Sequence, residues 1–168
     1  MISMLKNYVI IPKLKRTGDN SRYLVDNFTV TRLLLDELEV VTYPICGSVN
    51  GVIELYVPQL KILNSGLVNS SYATLERIEL PSIETMSSTA LNMNTLREIV
   101  LKEGFKFDLT LSNCYRLNLT SAKDILNKCA QLNEDEKYTI IFDETLRYAL
   151  TSEDIAIATN KGWEVKFE

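Results

Sequence analysis

The 168-residue chain has the length of one ordinary domain, long enough to bury most of its apolar surface without disulfides or metals. Its composition, 46% apolar and 24% charged, is typical of a folded protein and excludes a largely disordered one. The net charge of −4, with one short basic cluster at Lys13, Lys15 and Arg16, disfavours nucleic-acid binding because it provides no broad positive field.

Residues 1–35 contain two strand-like runs, YVII and FTVTRLLL, joined by the polar link RTGDNSR. The apolar run from Tyr8 to Ile11 is too short for the hydrophobic region of a signal peptide and far too short to span a bilayer. We therefore expect a protein that acts in the cytoplasm where it is made, or leaves the cell by lysis or inside a particle. The segment itself is interpreted as an N-terminal cap or an irregular first coil.

A leucine-rich spacing recurs within residues 36–119. Its four copies are LEVVTYP from Leu38, VIELYVP from Val52, LERIELP from Leu75 and LREIVLK from Leu96. Their first residues are separated by 14, 23 and 21 positions. One such copy cannot bury its apolar face alone, so repetition at about 20 to 30 residues is typical of stacked coils. The pattern predicts an α/β fold built as a short, leucine-rich-repeat-like parallel β-solenoid.

Stacking of the four copies predicts a charge pattern on the exposed face of a parallel sheet. The residues of one predicted column are Val40, Glu54, Arg77 and Glu98, and those of the next are Thr42, Tyr56, Glu79 and Val100. Opposite charges on adjacent strands stabilise a sheet, and here Arg77 would lie between two glutamates. This face is either only a solvated surface or a binding surface. Its candidate interaction residues are Glu54, Tyr56, Arg77, Glu79 and Glu98.

The pattern changes at Thr120, where apolar residues begin to recur at helical steps of three and four. Thr120 or Ser121 is the predicted N-cap of this helix, because a hydroxyl can accept a hydrogen bond from a free backbone N–H there. The run YTIIF, Tyr138 to Phe142, is rich in β-forming residues and predicts a strand.

A second helix is predicted to begin at Thr151 or Ser152 and to end before Gly162, a residue suited to the left-handed conformation. The alternation from Trp163 to Phe167 predicts a terminal strand. Residues 120–168 thus read helix, strand, helix, strand, and this α/β segment would cap the last open coil. The cap, the coils and the N-terminal segment are predicted to form one continuous domain.

The chain offers little chemistry for catalysis, since it contains no histidine, the commonest general base. Asp143 and Glu144 follow a strand, as carboxylates of some metal sites do, but no third ligand is visible. Cys46, Cys114 and Cys129 are an odd number without a C-x-x-C motif and are interpreted as buried thiols. No catalytic residue, metal ligand or cofactor is predicted.

The L-x-x-I-x-L-P repeats, together with LNLTSAKDILNKCAQL and DIAIATNKGWEV, resemble the BspA-like leucine-rich repeat family of gut bacteria and their phages over roughly residues 36–168. The resemblance implies a non-enzymatic structural or interaction module, and without a signal peptide it favours a phage virion or tail-associated protein. Its expected partner is a protein or a glycan, such as another virion protein, and neither nucleic acid nor membrane. An open sheet edge would also permit homo-oligomers.

Three other functions stay open. The chain could be a bacterial leucine-rich repeat protein of interaction or adhesion, or a host cytoplasmic regulatory domain. A more remote alternative is a hydrolase that uses Asp143 or Glu144.

Overall fold

The computed structural model describes residues 8–10, 13–17, 31–42, 53–65 and 74–168, with backbone alone for residues 8–10. These residues form an α/β structure with parallel β-sheets and two α-helices. Neither helix of these ranges has the length and apolarity needed to cross a bilayer. Among the residues discussed above, Ile11, Tyr43, Pro44, Cys46 and Val52 lie outside the described ranges.

Two open parallel sheets occupy the N-terminal two thirds of the chain, and successive strands alternate between them. The first sheet contains, in spatial order, β1 (Tyr8–Ile10), β3 (Arg32–Leu34), β5 (Glu54–Tyr56), β7 (Arg77–Leu80) and β9 (Glu98–Leu101). The second contains β2 (Arg16–Thr17), β4 (Val40–Val41), β6 (Ile62–Leu63) and β8 (Thr85–Met86). The segment predicted as an N-terminal cap or first coil therefore supplies strands to both sheets.

The register of the sheets is more regular than the predicted repeats. Register partners along the first sheet are, in order, Tyr8, Arg32, Glu54, Arg77 and Glu98. Those along the second sheet are Arg16, Val40, Ile62 and Thr85. In both sheets each step advances the chain by about 20 to 25 residues, which is the length of a short solenoid repeat. Each pass through both sheets thus consumes nearly the same length of chain.

The first of the four predicted copies was assigned to the wrong strand. Val40 lies on β4 of the second sheet, between Arg16 and Ile62, and the strand that pairs with β5 is β3. Arg32 takes the column position predicted for Val40, and Leu34 takes that predicted for Thr42. The spacing of apolar residues does not distinguish the two strands. Strands of both sheets bury alternate apolar residues, so LEVV and RLLL present the same pattern.

The apolar residues of the repeats belong to one hydrophobic core that both sheets share. Leu33, Leu55, Ile78 and Ile99 are in register and at most 2% exposed. Val41 and Leu63 of the second sheet are fully buried in the same core. Burying one such side chain stabilises the fold by roughly 1.5 to 3 kcal/mol. The predicted core residues Leu75, Leu80, Leu96 and Leu101 are buried as well.

Similar turns carry the chain from the first sheet to the second. Leu60 N donates to Val57 O at 3.1 Å, and Ile83 N donates to Leu80 O at 3.5 Å. Pro58 and Pro81 occupy the position after the acceptor in each turn, where the fixed φ of proline suits a β-turn. Both prolines follow the ends of strands, Pro58 after β5 and Pro81 after β7.

The C-terminal third contains β10 (Leu109–Leu111), α1 (Leu119–Lys128), β11 (Thr139–Phe142), α2 (Ser152–Thr159) and β12 (Glu164–Phe167). The three strands form a parallel sheet in chain order, and α1 packs against both β9 and α2. The predicted order of helix, strand, helix and strand over residues 120–168 is confirmed.

The helix ends match the predictions in part. The predicted N-caps of α1 are wrong, because Asn118 caps the helix and its Oδ1 accepts from Ser121 N at 2.7 Å. The second helix begins at Ser152, one of its two predicted starts, and Thr151 caps it and forms a capping box with Asp154. Gly162 follows α2 in the left-handed region at a φ of 91°, as its position after the helix indicated.

Candidate interaction face

The face of the first sheet that points away from the core carries a row of alternating charges. This arginine–glutamate row consists of Arg32, Glu54, Arg77 and Glu98, one residue from each of four adjacent strands. The prediction that Arg77 lies between two glutamates of neighbouring strands is confirmed. Arg32 was missed, although RLLL before Asp36 could have revealed a strand of the same kind.

The four residues of the row form two separate ion pairs, Arg32 with Glu54 and Arg77 with Glu98. Arg32 Nε lies 2.8 Å from Glu54 Oε2, and Arg32 Nη2 donates to Glu54 Oε1 at 3.0 Å, so this pair is bidentate. Arg77 Nε lies 3.1 Å from Glu98 Oε1. Because the row contains two arginines and two glutamates in alternation, its charges sum to zero.

Arg77 is shared between the row and the neighbouring column. Its Nη2 also donates to Glu79, two residues further along the same strand. Partial burial acts to lower the pKa of Arg77, but hydrogen bonds to Glu79 and Glu98 outweigh it and raise its pKa above the ordinary value. Two carboxylates therefore hold this guanidinium in one orientation at the centre of the face.

The neighbouring column is largely apolar. It contains Leu34, Tyr56, Glu79 and Val100 in register, and the side chain of Tyr56 is 42% exposed. Ile53, just before β5, is also exposed at 39%. Exposed large apolar side chains beside fixed charges are typical of contact surfaces, in which aromatic residues and arginine are enriched. The five predicted interaction residues thus lie on one surface, with Arg32 as a sixth.

Shallow cavities lie at two positions along this face. One of about 320 Å³ is lined by Thr31, Arg32, Ile53 and Glu54. Another of about 330 Å³ lies where β9 meets α1, and its lining residues are Glu98, Ile99, Val100, Asn118, Thr120, Ser121 and Asp124. Both cavities combine charged and apolar groups, so the face is indented rather than flat.

The carboxylates considered for hydrolysis make local structural contacts. Asp143 Oδ1 accepts from Thr145 N at 2.9 Å and from Thr145 Oγ1 at 2.6 Å, which caps a 3-10 turn at Glu144–Leu146. Glu144 Oε1 lies 2.6 Å from Arg147 Nε. In the described ranges, no three carboxylate or thiol side chains are grouped to hold a metal ion.

The two described cysteines are buried, as predicted. Burial raises the pKa of the Cys114 thiol, and likewise that of Cys129, to about 12. Since the thiolate is the nucleophile, neither residue is an activated thiol.

Comparison of the chain with protein-family models, with curated proteins and with solved structures finds no significant match. The resemblance to BspA-like repeats therefore stays a prediction based on the residues quoted above.

Proposed function

We propose that the two alternating sheets are sides of a leucine-rich-repeat-like parallel solenoid, and that α1 to β12 form its C-terminal cap. The register of the first sheet repeats about every 20 to 25 residues, which supports this architecture because it lies within the period expected for stacked coils. Asn118 N also donates to Arg97 O at 2.9 Å, as Arg97 N does to Glu76 O at 2.8 Å. The hydrogen-bond pattern between successive coils thus continues to Asn118, the residue just before α1.

On this scaffold, the chain is a non-enzymatic structural or interaction module whose first sheet contacts a protein partner. The observation that carries the proposal is the ordered face around Arg77, where a guanidinium fixed by Glu79 and Glu98 lies beside the exposed Tyr56. A rigid, partly apolar surface loses little side-chain entropy when a partner binds it. Aromatic residues and arginines are also the commonest centres of binding energy at interfaces.

The proposed setting is a phage virion or tail, with a bacterial interaction or adhesion protein as the alternative. Neighbouring capsid or tail genes would favour the virion, and a neighbourhood of host surface genes would favour adhesion. Nothing in the sites described above requires a cofactor, and the chain would act by binding alone.

The experiment compares particles produced with the wild-type chain and with the Tyr56→Ala/Arg77→Ala double variant. Mass spectrometry of purified particles should detect the wild-type chain in constant ratio to the capsid or tail proteins, and should find the double variant depleted by roughly tenfold or more. The matched control is Tyr148→Ala/Arg147→Ala, which removes the same residue types from the turn after β11. Equal retention of both double variants would show that the face is only scaffold, and absence of the wild-type chain from particles would contradict the virion assignment.

A further inference from the structure

A cavity of about 220 Å³, which shares no residue with the candidate interaction face, lies between the turn that precedes β9 and the turn that follows β10. Its lining residues are Asn92, Met93, Asn94, Asn113 and Tyr115, and this site is called the asparagine–tyrosine cavity. The two turns are stacked and bonded to each other. Asn113 N donates to Asn92 Oδ1 at 2.8 Å, and Cys114 Sγ donates to Leu91 O at 3.2 Å.

These contacts hold the two turns together beside the cavity. The bond from Asn113 N orients the carboxamide of Asn92, and Met93, which is 4% exposed, is anchored in the core beneath it. Tyr115 is 55% exposed, so much of its ring is open to solvent at the edge of the cavity. The site therefore combines one oriented amide, two exposed asparagines and an accessible aromatic ring on a packed base.

The chemistry of the lining selects against charged ligands. In a chain of which 24% is charged, none of the described residues that line this cavity carries a charge. A carboxamide offers two N–H donors and a carbonyl acceptor, which matches neighbouring hydroxyl groups that each donate and accept. An exposed tyrosine ring adds an apolar surface with a polar tip.

We propose that the asparagine–tyrosine cavity binds a neutral pyranose unit of a glycan. Such a ring has hydroxyl groups at its edge for the amides and C–H groups on its face for the ring of Tyr115. The volume is below the roughly 300 Å³ at which sites for larger ligands begin, so one sugar ring is the fitting unit. The inference rests on the proposed function as a binding module, but it assigns a ligand class to a second surface that shares no residue with the first.

The test is an array of immobilised neutral glycans that end in glucose, galactose, mannose or N-acetylglucosamine, probed with the full chain. The wild-type chain should bind at least one of these glycans, and Tyr115→Ala and Asn113→Ala should each weaken that binding by about threefold to tenfold. The matched controls are Tyr148→Ala, at a tyrosine that is 90% exposed, and Asn133→Ala. Neither residue lines the cavity, so both controls should bind as the wild type does.

Three results would overturn the assignment: no binding to any neutral glycan, binding to charged glycans alone, or equal binding by wild type and Tyr115→Ala. Circular dichroism of each variant would separate lost binding from lost folding, and Asn113→Ala provides a second variant if Tyr115→Ala is unfolded. The Tyr56→Ala/Arg77→Ala variant should retain full glycan binding. Absence of the wild-type chain from particles, with intact glycan binding, would count against the proposed virion role alone. Particle association of the wild-type chain without glycan binding would count against the glycan site alone.

Discussion

The hydroxyl of Ser121, on helix α1, makes two hydrogen bonds to the backbone of one residue on strand β9. Ile99 N donates to Ser121 Oγ at 2.8 Å, and Ser121 Oγ donates to Ile99 O at 3.1 Å. Ser121 is 4% exposed, and α1 lies where another strand of the first sheet would pair with β9. One side chain thus replaces the donor and the acceptor that a further strand would supply, and closes this part of the sheet edge.

Substitution of Ser121 by alanine should destabilise the fold by about 1 to 3 kcal/mol, because a buried N–H and a buried C=O of Ile99 lose their partner together. Urea unfolding, followed by circular dichroism, would measure the change. Thr120→Ala is the matched control, since Thr120 is exposed on the same turn and should change stability by less than about 0.5 kcal/mol. Equal stability of the two variants would contradict this role of Ser121.

The sequence was sufficient to predict the apolar positions of β5, β7 and β9 but not the function of Ser121. Ile78 and Ile99 follow a period that only buried strands explain, so their burial could be read directly. Ser121 precedes a helical pattern, for which the local expectation is an N-cap. Its bonds to Ile99 depend on where α1 packs against β9, and that placement is a tertiary property with no local signature.

The sequence predicted the residues of the interaction face on β5, β7 and β9 but not those on β3. Glu54, Arg77 and Glu98 were placed in one column because their strands are separated by nearly constant spacing. Arg32 was missed because the apolar residues of LEVV satisfy the same pattern in the other sheet. Both sheets contain the same kinds of residue, so only the pairing between strands shows which sheet RLLL and LEVV belong to.

The ion pair of Arg32 and Glu54 should contribute a coupling energy of about 0.2 to 1 kcal/mol, measured by a double-mutant cycle with alanine at both positions. The value is modest because the side chains are 43% and 36% exposed, and it should fall as salt screens the charges. The control pair is Lys15 and Glu39, whose charged atoms are 4.0 Å apart and whose side chains are 67% and 46% exposed. A coupling for Arg32 and Glu54 no larger than for this control would show that the bidentate geometry adds no stability.

Two glycines with positive φ should respond differently to alanine. Gly104, at a φ of 68°, has no atom within 4 Å of the position that an added Cβ would take, so Gly104→Ala should cost about 1 kcal/mol through backbone strain alone. At Gly162, with a φ of 91°, the added Cβ would lie 3.2 Å from Leu132 Cβ, so crowding adds to the strain. The midpoint temperature of thermal unfolding should therefore be lower for Gly162→Ala than for Gly104→Ala. An equal decrease in the two variants would mean that Leu132 moves aside freely.

The two buried thiols should make the fold less stable as the solution becomes alkaline. Burial raises the pKa of Cys114 and of Cys129 from an ordinary value of 9.0 to about 12, so between these values the unfolded chain loses protons that the folded chain retains. Stability therefore falls as pH rises through this window, by up to about 1.4 kcal/mol per pH unit for each thiol.

Urea unfolding from pH 7 to 10.5, in a Cys46→Ala background, should show this slope. The Cys114→Ala/Cys129→Ala double variant should reduce the slope, and it should also lower stability at pH 7 through lost packing. The two proteins differ only at these thiols, so an unchanged slope in the double variant would show that the thiols are not the source.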